Sequence, residues 1–184
     1  MKKALIGAIV GGLLIFFAQT LSWTMLYLHE PAQSYTDKQD TIMQFLKTNL
    51  GKDGGYLLPS APKGTSFDDQ LKMADKMKDK PQISIQYHDH FDVSMNKMYM
   101  NMGRGLVSTI FMVWMVCWII GKFSKPTFVS VFLTSLFIGL VGYINIPYNS
   151  LIWYHIFDAR AYLIDAVLGW GLCGIWLGWW YSRR

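Results

Sequence analysis

The chain has 184 residues, of which 52% are hydrophobic, 16% are aromatic and only 16% are charged. This composition is typical of an integral membrane protein and excludes an ordinary soluble domain. The net charge of +5 does not indicate nucleic acid as a partner, because the excess lies in short basic segments beside apolar runs. Six cations form these segments, and no acid stands among them: Lys2, Lys3, Lys122, Lys125, Arg183 and Arg184. Their placement predicts a lipid bilayer as the partner, with these cations on its cytoplasmic side.

The first apolar run, residues 4–28, follows the basic pair at the start of the chain. It is long enough to cross a bilayer, which takes roughly 20 apolar residues. A cleaved signal peptide is the alternative, but the run is too long for one and no small-x-small cleavage site ends it. We therefore predict transmembrane helix 1, in which Gly7 and Gly11 form a close helix contact.

Residues 29–103 are the only polar region, and their size predicts a small folded module. Residues 36–39 have the form of a capping box, and apolar residues at helical spacing follow up to Gly51. This pattern predicts a first helix between Thr36 and Gly51.

A second, charged helix is predicted to begin at Ser66 and to end before Pro81. Residues 82–87 alternate between apolar and polar side chains, as a half-buried strand does. Pairing of this strand with residues 56–58 would give a two-stranded sheet. Such a module is too small for a core of its own, so we expect it to rest on the membrane helices.

Three more spans are predicted, at residues 104–121, 127–148 and 161–181, and Pro147 is expected to break the third. Four spans with both termini in the cytoplasm put every basic segment inside. The predicted fold class is therefore an all-α membrane protein with four transmembrane helices and a small α/β extracytoplasmic module between spans 1 and 2. Its predicted location is the bacterial inner membrane, with a periplasmic module.

The last span carries small residues at intervals of three and four, which lie on one side of a helix: Gly171, Gly174 and Gly178. Small residues let a neighbouring backbone approach closely, and helices associate in this way where lipid removes the hydrophobic drive. The face is predicted to pack another helix of the chain, of a second copy or of a larger membrane complex.

A polar cluster is predicted at the outer end of the bundle. Asp165 is the one acid inside an apolar run, and a carboxylate in hydrocarbon must face protein or a water-filled pocket. Side chains predicted at the same depth are those of Gln19, Ser22, Asn145, His155 and Arg160. In one interpretation the cluster lines a pocket for a solute or a proton; in the other, Asp165 pairs with Arg160, or with Gln19 and Asn145, and only fixes helix register.

Imidazole and thioether groups lie close together in sequence just before the second span: His88, His90, Met95, Met98 and Met102. These are soft ligands that suit copper(I), so extracytoplasmic copper handling is one hypothesis. The competing interpretation is that the three methionines, spaced i, i+3 and i+7, form the apolar stripe of an amphipathic helix. The spacing favours the second interpretation, and we predict neither a metal nor a cofactor.

No catalytic motif is present. His29 with Glu30 is not part of an HExxH motif, because position 33 is Gln, and a histidine at this depth is interpreted as an interfacial residue. The sequence predicts no catalytic residue.

The stretch YLIDAVLGWGLCGIWLGWW, Tyr162 to Trp180, resembles the last helix of small uncharacterised four-helix bacterial membrane proteins, in which an apolar-Asp turn precedes a Gly- and Trp-rich stretch. The first span, with Gln19 and Trp23 near its outer end, is loosely similar to theirs. The resemblance implies four spans and carries no activity.

The leading functional hypothesis is a non-enzymatic accessory or partner-binding membrane protein. The alternative is small-solute or proton-coupled transport or sensing around Asp165.

Overall fold

The structure, a computed structural model, describes residues 2–91 and 93–183. The chain forms two compact units. Residues 2–34 and 93–183 form a helix bundle, and residues 35–91 form the module. The elements in chain order are α1 (Lys2–Thr24), a 3-10 turn (Glu30–Ala32), α2 (Gln39–Leu50), β1 (Gly54–Leu58), α3 (Phe67–Met77), β2 (Ile83–Tyr87), α4 (Met95–Ile120), α5 (Phe128–Tyr143), a π turn (Ile144–Tyr148), α6 (Asn149–Tyr154) and α7 (Ala159–Ser182).

Four helices of the described chain are long and apolar enough to cross a membrane, which is the number predicted. They are α1, α4, α7 and the continuous segment Phe128–Tyr154. The third helix is longer than predicted, because the chain does not leave the helix at Pro147. Proline has no N–H to donate and its ring crowds the preceding turn, and the π turn accommodates both effects.

The bundle is arranged around α1 and α7. Helix α1 packs against both α4 and α7, and α7 packs on its other side against α5. The buried core lies along these contacts and consists mainly of small and aliphatic side chains: Ala8, Ile15, Val113, Val116, Cys117, Ile120, Val131, Cys173 and Leu177. Both cysteines are therefore buried packing residues, as their apolar surroundings in the sequence suggest.

Glycines bring the helices close together. A Cβ atom at Gly12 would lie 2.6 Å from the Ile110 Cα atom, so the backbones of α1 and α4 are nearly in contact there. A Cβ at Gly11 would lie 2.9 Å from the Cys173 Sγ atom, and one at Gly178 would lie 2.8 Å from the Phe128 ring. Such approaches are possible only for a residue without a side chain.

The predicted glycine face of α7 includes one residue that makes no close contact. A Cβ at Gly174 would lie 3.1 Å from Phe132 of α5, whereas nothing lies within 4 Å of a Cβ at Gly171. On α1, a Cβ at the predicted contact residue Gly7 would lie 3.2 Å from the Cys117 Sγ atom of α4. At the level of Gly171, α7 meets α5 through the neighbouring residue Trp170, whose side chain occupies the space beside Gly139. At this level a large side chain on α7 thus fits against a small residue on α5, whereas Gly174 and Gly178 approach α5 closely, as their spacing predicts.

The module has the predicted strand pairing. Strands β1 and β2 form an antiparallel sheet in which Tyr56 lies opposite Ile85. Helix α2 ends at Gly51, whose φ of 64° is in the left-handed region that glycine adopts freely. Helix α3 begins after Ser66, whose hydroxyl accepts the Asp69 N–H at 3.2 Å.

Helix α2 lies within the predicted range, but the capping box predicted at residues 36–39 does not form. The helix begins at Gln39 and its N-cap is Lys38, without a side-chain cap. The Thr36 hydroxyl accepts the N–H of Lys38 at 3.3 Å, which makes a turn before the helix. A threonine can bond locally in this way instead of capping a helix.

Candidate functional site

A tight reversal of the chain after α1 places His29 over the end of that helix. Tyr27 adopts a left-handed conformation with φ of 50°, and the Leu28 N–H donates to the Ser22 carbonyl at 3.1 Å. The chain then enters the 3-10 turn, where Pro31 fixes the backbone. His29 is consequently turned back toward the bundle.

The His29 side chain lies between two aspartates of α7 and its N-terminal cap. Its Nδ1 atom is 2.8 Å from Asp158 Oδ2, and its Nε2 atom is 3.1 Å from Asp165 Oδ2. The three side chains are only 2%, 7% and 9% exposed, respectively. We call this group the His29 cluster.

Two aromatic rings hold the imidazole in this orientation. The Trp23 ring stacks on His29 with a centroid distance of 3.8 Å and an interplanar angle of 5°. The Tyr162 ring meets the imidazole edge to face at 4.7 Å. An aromatic face favours a positively charged ring, so the walls of the site suit an imidazolium.

Helix geometry explains why both aspartates reach the same side chain. They are seven residues apart, which is close to two helical turns, so they lie on one face of the α7 end. Asp158 occupies the N-cap position of α7 but makes no side-chain cap, because its carboxylate is directed to His29. Tyr162 lies between them in sequence and contacts the same ring.

The two hydrogen bonds limit the ways in which protons can be arranged in the cluster. Both ring nitrogens face carboxylate oxygens, so the two hydrogen bonds require either an imidazolium with two carboxylates or a neutral imidazole with one protonated carboxyl group. Both arrangements contain the same number of protons and have a charge of −1. Within the described chain no lysine or arginine lies within ion-pair distance of either aspartate. Removal of the imidazole would therefore take away the side chain that hydrogen-bonds both enclosed carboxyl groups.

Of the residues predicted to surround Asp165, Ser22 is the one that is buried. Helices α1 and α7 are paired so that Gly11 approaches Cys173 and Ile15 approaches Gly169. Continuing this antiparallel pairing toward the end of α1 places Ser22 opposite Tyr162, at the level of the cluster. The Ser22 hydroxyl has no hydrogen-bond partner among the described residues.

The remaining predicted members are exposed on the surface of the bundle: Gln19, Asn145, His155 and Arg160. Within residues 2–91 and 93–183 no hydrogen bond or ion pair joins any of them to Asp165. Asp165 is hydrogen-bonded to His29 instead. The predicted pairing of Asp165 with Arg160, or with Gln19 and Asn145, does not form in the described chain.

The candidate copper ligands lie in different units of the structure. His88 and His90 belong to the module, where they are 3.7 Å from Asp53 and 3.4 Å from Asp89, respectively. Met95, Met98 and Met102 lie on α4 of the bundle. Among the described residues no three His, Cys, Asp or Glu side chains are grouped so that they could hold a metal ion. Methionine sulfur is not one of these ligand types, so copper handling stays a hypothesis.

His29 and Asp158 were not predicted as site residues from the sequence. His29 was interpreted as an interfacial residue because it follows an apolar run. The spacing of Asp158 and Asp165 was the available signal, since two acids seven residues apart share a helix face and can reach a common partner.

Comparison with known proteins gives no relative: no family model matches the chain, and neither a curated protein nor a solved structure is significantly similar to it.

Proposed function

We propose that the protein is a non-enzymatic membrane protein that crosses the lipid bilayer four times and presents residues 35–91 to a partner on the extracytoplasmic side. The four apolar helices and the basic segments at one end of the bundle support this orientation. The resemblance of the last helix to small bacterial membrane proteins agrees with it.

The observation that carries the proposal is the surface of the module. None of residues 35–91 is buried, and large aromatic side chains are open to solvent, including Phe67 at 72% and Phe91 at 81%. A unit that buries so little gains little stability from its own core. Exposed apolar surface of this kind is typical of an interaction site.

A groove in the module offers a specific place for a partner. A cavity of about 510 Å³ lies between α2 and β2, with apolar walls that include Met43, Leu46, Ile85 and Phe91. The described sheet has two strands, so β2 pairs with β1 on one edge and has no strand on the other. An extended partner segment binds such an edge through its backbone and fills an adjacent groove with its side chains.

Polar groups border this groove. The Tyr87 hydroxyl donates to Asp89 Oδ1 at 3.0 Å, and Lys47 Nζ is 3.9 Å from the same oxygen. Desolvation, and then the hydrogen bond to Asp89, raise the pKa of Tyr87 above its ordinary value. An apolar centre with a polar rim is the usual composition of a protein interface.

In this proposal the His29 cluster has a structural role. His29 lies six residues before the module begins, and its bonds attach this part of the chain to α7. A site for a solute or an exchangeable proton needs access to water, and the three side chains of the cluster are almost fully enclosed. The burial of these three side chains therefore favours a structural role over transport or sensing.

The orientation can be tested by cysteine labelling. Cys117 and Cys173 are both buried, at 1% and 0% exposure, so they give little background. We expect a membrane-impermeant maleimide to label Lys63→Cys in intact cells and to label Lys125→Cys only after permeabilisation. The opposite pattern would show that the module lies in the cytoplasm.

Partner binding can be tested by photo-crosslinking in native membranes. A photoreactive residue in place of Phe91 is expected to give an adduct of defined mass, because this side chain borders the groove. Met43→Glu should weaken the adduct about tenfold, since a charge disrupts an apolar contact centre.

Ser60→Glu is the matched control, because it adds the same charge at an exposed position of the module outside this groove. Equal adduct yields from the two variants, or adducts equally strong from a photoreactive residue at Lys63, would contradict a specific groove. The mass of the adduct distinguishes a second copy of the chain from a different protein.

A further inference from the structure

Two adjoining cavities lie at the end of the bundle where α1 begins and α7 ends. The first has a volume of about 550 Å³ and lies between α1, α4 and Tyr181. The second has a volume of about 700 Å³ and lies beside the turn between α4 and α5. Lys3 and Tyr181 line both cavities, so these two side chains border both spaces.

The first cavity combines apolar walls with basic groups. Trp114 and Trp118 of α4 and Leu5 of α1 provide apolar surface, and all three are 43% to 58% exposed on the outside of the bundle. The basic groups at this cavity are Lys2, Lys3 and Lys122. An apolar groove with cations at its end is complementary to an anionic phospholipid, whose acyl chain contacts the apolar walls and whose charged headgroup contacts the cations.

The second cavity is more polar. Its lining includes Lys125 and Arg183, together with the hydroxyl-bearing residues Ser124 and Thr127. Lys125, Arg183 and Ser124 offer donors here, whereas the Thr127 hydroxyl already donates to Ser130 Oγ at 3.0 Å. Cations and hydroxyls together are the usual ligands of a phosphate group.

Among residues 2–91 and 93–183, no acidic side chain neutralises these cations. None of the residues that line either cavity is acidic. The cations are instead held by neutral groups: Lys3 Nζ donates to the Arg183 carbonyl at 2.8 Å, and Lys122 Nζ lies 4.6 Å from the centre of the Trp118 ring. This end of the bundle therefore carries a concentrated positive charge, which attracts anionic ligands.

We propose that this end of the bundle binds one anionic phospholipid of the cytoplasmic leaflet. Its phosphate lies among Lys2, Lys3 and Lys122, and one acyl chain lies along Trp114 and Trp118. The proposal rests on the membrane insertion proposed above. It commits to a lipid over free phosphate because the groove beside the lysines is apolar, and to an anionic lipid because the site has no acid to receive the cationic group of a zwitterionic one.

The test is a binding measurement on the purified full chain in a non-ionic detergent, by native mass spectrometry or thermal shift. The probes are phosphatidylglycerol, phosphatidylcholine with the same acyl chains, and inorganic phosphate. We expect phosphatidylglycerol to bind and to raise the unfolding temperature, and we expect the other two to have little effect. Neutralisation of lysines near a lipid headgroup weakens binding about fivefold for each charge removed, so Lys2→Gln/Lys3→Gln/Lys122→Gln should weaken it about a hundredfold.

The matched control is Lys63→Gln/Lys76→Gln/Lys80→Gln, which removes the same charge from the module and should leave lipid binding unchanged. Equal binding of the two lipids, a full effect of inorganic phosphate, or equal losses in the two triple variants would each overturn the proposal. The comparison of probes on the unmodified chain decides the matter even if the first triple variant does not fold. Cysteine labelling tests the membrane orientation separately, so failure of lipid binding and failure of the topology are distinguishable.

Discussion

Replacement of His29 by alanine is expected to lower the free energy of unfolding by about 3–5 kcal/mol, the cost of removing one partner from a buried ion pair. The change leaves Asp158 and Asp165 enclosed by protein without the group that bonds both of them. It also removes the ring that stacks on Trp23. The measurement is a denaturant or sodium dodecyl sulfate titration of the purified protein in detergent micelles.

His90→Ala is the matched control for this prediction. The His90 side chain is 92% exposed and lies 3.4 Å from one carboxylate oxygen of Asp89, so it makes a comparable contact at the surface. Exposed pairs contribute about 1 kcal/mol or less, and its loss should be small. Similar losses in the two variants would show that the His29 cluster does not stabilise the fold.

A combination of variants separates charge from packing. In an Asp158→Asn/Asp165→Asn background no carboxylate remains to be left unpaired, so His29→Ala should cost much less than it does in the natural chain. The difference between the two costs is the coupling energy of the cluster. If the cluster stabilises the fold through its charges, the coupling energy should be large. If it acts only by packing of the imidazole against its aromatic neighbours, the coupling energy should be almost zero.

The four long apolar helices could be predicted from the sequence because their signal is local. An apolar run of sufficient length is visible without any knowledge of what it contacts, and four such runs correspond to the four apolar helices. The third helix shows the limit of this reasoning. Pro147 predicts a break from its own chemistry, but the chain absorbs the proline in a π turn and continues as helix to Tyr154.

The site could be predicted only in part, because its members are distant in sequence. Asp165 was found, since an acid within an apolar run is unusual wherever it packs. His29 lies 136 residues before it, and no local pattern shows that a reversal at Tyr27 turns the imidazole back toward α7. The cluster depends on this reversal together with the pairing of α1 and α7.

The glycines also show what sequence spacing can and cannot predict: it gives the helix face on which a residue lies, but not the residue that it contacts. Spacing places Gly171, Gly174 and Gly178 on one side of α7, but it does not show which neighbour lies opposite each residue. Contact with a backbone is more restrictive than contact with a side chain, because a side chain can move and a helix axis cannot do so without shifting its neighbours. Gly12 has the closest such backbone contact, with Ile110 of α4.

Gly12→Ala is therefore expected to destabilise the bundle although alanine is the better helix former. The new Cβ would lie 2.6 Å from the Ile110 Cα atom and 2.8 Å from its backbone nitrogen, so α1 and α4 must separate. Overpacking of this kind costs about 1–3 kcal/mol in the free energy of unfolding. Gly142→Ala is the control, because nothing lies within 4 Å of its Cβ position and the gain in helix propensity is at most about 1 kcal/mol. The same micelle unfolding titration should give opposite signs for the two variants, and a Gly12→Ala protein as stable as the natural chain would show that α1 and α4 do not pack at this distance.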